Sequence, residues 1–187
     1  MFEVSLILGV WFSLAIVLGA RFAVNVVAGA SAHPSIPVLQ ILGLGTMATF
    51  LIATWAFAML SVRDYRDLLV ANLIAIGIQA GVTLPLAATS GAKGAAIGAA
   101  ITEFSLAACY GISLMRRHPD LRVQPRVVPR VALAAAAAAG LGLLALTIHP
   151  VVAVCVATLV YFGLLAAQRA IPAEVMQALS RRKAAES

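Results

Sequence analysis

A chain of 187 residues is long enough for one ordinary soluble domain, but 63% hydrophobic and only 11% charged residues, with a mean hydropathy of +1.03, exclude a water-soluble globule. The formal charge of +6 and a pI near 10.2 do not imply nucleic acid, because the basic residues gather at the ends of apolar runs, where anionic lipid headgroups suffice as partners. The class that remains is an integral membrane protein, all-α, surrounded by membrane lipids and without a nucleic-acid partner.

Six apolar stretches, each near the ~20 residues that carry a helix through a bilayer core, predict a six-helix transmembrane bundle over residues 1–170. The first, Ser5 to Val27, follows Glu3 rather than a basic segment and is too long for the core of a signal peptide, so it is expected to remain as a helix. The second, Ile36 to Val62, starts beside Pro34 and Pro37, where a missing backbone donor costs nothing. In the third, Leu68 to Ala88, Pro85 lies about a turn from the end and can weaken or kink the helix. The fourth runs from Gly94 to Met115, the fifth from Val131 to Ile148 after Pro129, and the sixth from Val151 to Gln168. The fifth contains "ALAAAAAAG", whose small side chains allow close helix approach. In the tail, residues 171–187, Ile171, Val175 and Leu179 recur at helical spacing, which predicts a short interfacial helix followed by disorder. Cys109 and Cys155 fall inside spans without a CxxC and read as small buried hydrophobes.

Basic residues near span ends set orientation. Eleven of the thirteen Lys and Arg lie in alternate links and the tail: Arg63 and Arg66; Arg116, Arg117, Arg122, Arg126 and Arg130; Arg169, Arg181, Arg182 and Lys183. The opposite links hold only Lys93, and Arg21 sits within the first span. This pattern predicts a multi-pass protein of the cytoplasmic (inner) membrane with both termini in the cytoplasm.

The stretch "SGAKGAAIGAAITEF", Ser90 to Phe104, carries the most specific signal. Gly94 and Gly98 form a GxxxG which, with Gly91 before it, predicts a smooth helix-packing face, and Glu103 follows half a span deeper. With "VVAGASAHPSIPVLQILGLGTMATFL" and "SVRDYRDLLVANLIAIGIQAGVTLPL" ahead of it, the region from Arg21 to Arg117 resembles the carboxy-terminal half of oligosaccharide flippases. These are the O-antigen and polysaccharide-export branch of the multidrug/oligosaccharidyl-lipid/polysaccharide exporter superfamily. The resemblance implies a two-bundle transporter that moves polyprenyl-diphosphate-linked oligosaccharide between leaflets by alternating access, without a cofactor. The chain holds one bundle where the family has two. The expectation is a fragment or truncated product, or else a half-transporter, in either case lacking an amino-terminal bundle or partner half. A non-transporting scaffold or assembly subunit of envelope polysaccharide machinery is the alternative.

Glu103 lies nine residues past Gly94, about 13 Å into the membrane at 1.5 Å per residue, where a charge costs on the order of 3 kcal/mol. Such an acid can be a cavity group that takes up a proton or cation, or it can make an interhelical hydrogen bond to Gln79 or Asn72. Arg21 can snorkel to the interface, or line the cavity as a cation for the substrate's diphosphate. Asn25, Asn72, Gln79 and Thr102 are span-embedded polar groups suited to sugar hydroxyls or to binding helix to helix. His33, His118 and His149 show no metal-ligand spacing. Glu103 is the one acid within the membrane, so no acid/base pair for an intramembrane enzyme is expected.

Overall fold

The computed structural model describes residues 2–118, 127–147 and 149–168. The predicted tail at 171–187 and the link residues Arg122 and Arg126 lie outside the described residues. Within them the chain is helical almost throughout, with no strand. Helix α1 spans Phe2–Ala28, a 3-10 turn spans Ala30–Ser35, and α2 spans Ile36–Ser61. Then come α3 (Tyr65–Ile78), a wide π turn (Gln79–Thr83), α4 (Leu84–Arg117), α5 (Val127–Ala145) and α6 (Pro150–Ala167). Pro37 lies at the start of α2 and Pro150 at the start of α6, where their missing donors are harmless.

Five helical stretches are long and apolar enough to cross a membrane, and the third, Tyr65–Arg117, is 53 residues long. A straight helix of that length would measure about 80 Å, against a hydrocarbon core of about 30 Å. It does not run straight. Gly91 adopts φ 58° and ψ −139°, outside the helical region, and the chain folds back there. The two arms lie antiparallel, since pairing indices rise on one arm as they fall on the other: Asp67 meets Ser113 and Arg117, Asn72 meets Tyr110, and Thr83 packs at Gly98. The separate third and fourth spans expected from the sequence are thus joined by one non-helical residue rather than by the five-residue link between Ala88 and Gly94. Pro85 does not end its helix. The π turn immediately before it widens the backbone where the proline ring would crowd the preceding turn.

The elements pack in a row. The α5/α6 pair lies on α1, α1 on α2, α2 on the second arm, and that arm on the first. Small residues set the closest approach: Ala134, Ala138 and Gly142 of α5 are buried in the same cluster of helices as Ala153 and Ala157 of α6. Tyr161, fully buried, donates to the Ile7 carbonyl at 3.0 Å, and Trp11 donates to the Thr158 hydroxyl at 3.1 Å, both tying α6 to α1. Cys155 corrects the sequence reading: it is exposed on α6, while Cys109 is half-buried.

The exterior is as apolar as the core. Phe57 is 73% exposed, Leu144 69% and Leu159 74%. Such a surface is unfavourable in water and natural in lipid. The molecule is a helical membrane protein.

Candidate functional site

The seam between α2 and the second arm holds Glu103. Glu103 is half-buried there, and its Oε2 accepts a hydrogen bond of 3.3 Å from the Thr49 hydroxyl. Thr49 sits one helical turn after Gly45, whose carbonyl is 3.4 Å from the same hydroxyl, so a single proton serves two acceptors. Gly45 makes the room: a methyl group added to it would lie 2.5 Å from Glu103 Oε2. No cationic side chain among the described residues lies within ion-pair distance of Glu103. The carboxylate is therefore held by one neutral hydroxyl and, among the described residues, is not tied up in an ion pair.

The glycines on either side of the turn have distinct parts. At Gly94 an added methyl group would stand 1.8 Å from the Leu86 carbonyl oxygen, and at Gly98 2.6 Å from Thr83 Cα, so these two allow the arms to touch. A methyl group added at Gly91 would meet nothing within 4 Å. Gly91 corrects the expected packing face: its part is the backbone turn. Trp55 of α2 rests on Gly111 in the same manner, 3.0 Å from where a methyl would be, and fixes α2 against the second arm below the acid.

The other candidates are dispersed. Arg21 is exposed on α1 and forms no ion pair among the described residues, and α2 lies between its helix and Glu103. Asn25 Oδ1 lies 3.0 Å from His33 Nε2, pinning the end of α1 to the 3-10 turn. Asn72 donates to the Tyr110 hydroxyl at 2.6 Å and to the Leu68 carbonyl at 2.8 Å, which joins the arms. Gln79 is exposed in the π turn. The buried Thr102 hydroxyl donates to the Gly98 carbonyl at 2.9 Å. Neither Asn72 nor Gln79 reaches Glu103, whose partner is Thr49. Gly45 and Thr49 escape the sequence reading, although their spacing of four in "GLGTMATF" marks one helix face.

A second polar cluster closes the other end of the hairpin. Arg117 donates to Asp67 at 2.6 Å and stands 3.8 Å from Asp64, His118 stands 3.8 Å from Asp64, and the Ser113 hydroxyl donates to Asp67. Among the described residues, no three His, Cys, Asp or Glu side chains converge as metal ligands. No protein family, known protein or solved structure matches the chain.

Proposed function

We propose that the chain is one half of a secondary transporter in the cytoplasmic membrane, which flips a polyprenyl-diphosphate-linked oligosaccharide for polysaccharide export. The observation that carries this reading is the Glu103 carboxylate, in the seam between α2 and the second arm, without a cationic side chain among the described residues, and given space by Gly45. The resemblance between Arg21 and Arg117 supplies the cargo. Counting the arms of the Gly91 hairpin as two passes makes six, and an even number returns both termini to one side. The arginines assign that side to the cytoplasm.

In this reading Glu103 is the coupling acid. Its ionised form favours a seam open to water, and its protonated or cation-bound form favours a closed one, so the ion biases one bundle rocking against its partner half. In this reading a partner bundle supplies the second wall of the cavity. The test is Glu103→Gln in the complete two-bundle assembly, reading surface polysaccharide against protein level. Export should fall at least ten-fold at an unchanged amount of protein. Full export by that variant would remove the coupling role.

A further inference from the structure

A groove of about 380 Å³ runs along the outside of the hairpin, between its two arms. Its walls are apolar, from Val70 and Ile74 on one arm and Cys109 and Ile112 on the other. Its mouth, at the end where the arms terminate, holds Asp67, Arg116 and Arg117. From Asp67 to Ile74 the groove descends about 10 Å along α3 at 1.5 Å per residue.

The charged groups at the mouth are not equally available to a ligand. Asp67 is fully engaged by the Ser113 hydroxyl and by Arg117, and Asp64 lies on the far side of Arg117. These two carboxylates hold Arg117 in place and leave Arg116 exposed, with no ion pair among the described residues. The Arg116 guanidinium, exposed and without an ion pair among the described residues, thus stands over an apolar channel that opens sideways toward the surrounding lipid. We infer that this groove is a binding site for an acidic phospholipid, with the phosphate on Arg116 and an acyl chain between Val70, Ile74 and Ile112. A free phosphate would leave the apolar channel unfilled, and a zwitterionic lipid would bring its own cation to the arginine. The inference rests on the chain spanning a membrane and is independent of any transported cargo.

Selectivity comes from the headgroup. An acyl chain is as well solvated in bulk lipid as in the groove, so the channel orients the lipid and Arg116 selects it. One arginine at the surface corresponds to a preference of about five-fold for an anionic over a zwitterionic lipid.

The experiment uses the full chain in phosphatidylcholine vesicles containing phosphatidylglycerol, with brominated chains on one lipid or the other. Quenching of an Ile112→Trp reporter in the groove is compared with that of a Phe57→Trp reporter on the lipid-exposed face of α2, each relative to the parent protein. Phosphatidylglycerol should be preferred about five-fold at Ile112→Trp and close to equally with phosphatidylcholine at Phe57→Trp. Adding Arg116→Gln should abolish the difference, Arg116→Lys should retain it, and millimolar inorganic phosphate should leave it unchanged. Equal lipid preference at the two reporters with Arg116 intact would overturn the site, and that comparison stands even where an Arg116 variant fails to accumulate. A preference that survives Arg116→Gln, or that inorganic phosphate competes away, would overturn it as well.

Discussion

Glu103 and Gly45 behave as one unit, which separates two kinds of substitution at the same contact. A methyl group at Gly45 meets the end of a flexible side chain, not backbone. Gly45→Ala should therefore leave the protein folded, with stability within about 1 kcal/mol of the parent, while displacing the carboxylate from Thr49. Thermal unfolding in detergent together with an export assay of the complete assembly tests this: export should drop with little change in melting temperature, and a large loss of stability would show that the seam cannot yield. Glu103 itself is legible in the sequence, because an acid nine residues into an apolar span has few affordable environments. Its partners are not. Which face of α2 meets α4 depends on packing between two helices that are apolar all round, and no periodicity records that choice.

At the scale of the element, the hairpin depends on three glycines in different ways. Gly91→Ala puts a Cβ on a backbone at φ 58° and ψ −139°, outside the wells open to other residues, and should cost about 1–3 kcal/mol. Gly94→Ala is far worse, since the Leu86 carbonyl at 1.8 Å is backbone and cannot swing aside. The measurement is the amount of folded, monodisperse protein after solubilisation: reduced for Gly91→Ala and nearly absent for Gly94→Ala, with the reverse order contradicting the geometry. Arg63 ends α2 with φ 58°, while Asp64 N–H bonds to the Met59 carbonyl at 2.9 Å and Arg63 N–H to the Leu60 carbonyl at 3.1 Å. That closure is usually made by glycine. Arg63→Gly should raise stability by about 0.5–1 kcal/mol, seen as a higher melting temperature, and a fall would mean that the arginine side chain contributes more than its backbone costs.

For the whole molecule, the arginine distribution predicts that both ends of the row of helices face the cytoplasm. With Cys109 and Cys155 replaced by alanine, Ser31→Cys should react in intact cells with an impermeant thiol reagent, and Ser61→Cys only after permeabilisation. Both positions are exposed, and the opposite pattern would invert the topology. The long apolar helices could be read from the sequence because a bilayer imposes a minimum apolar length. Their order in space could not, because lipid-facing and protein-facing positions carry the same residue types: in α6, Leu159 is 74% exposed and Leu165 is fully buried. The single-residue turn at Gly91 also bears on how the protein is made. Insertion of the hairpin carries across the bilayer only a small apex whose one formal charge is Lys93. The Asn72 amide donates to the Tyr110 hydroxyl only once the arms are paired, which favours insertion of the two arms together over insertion of one after the other.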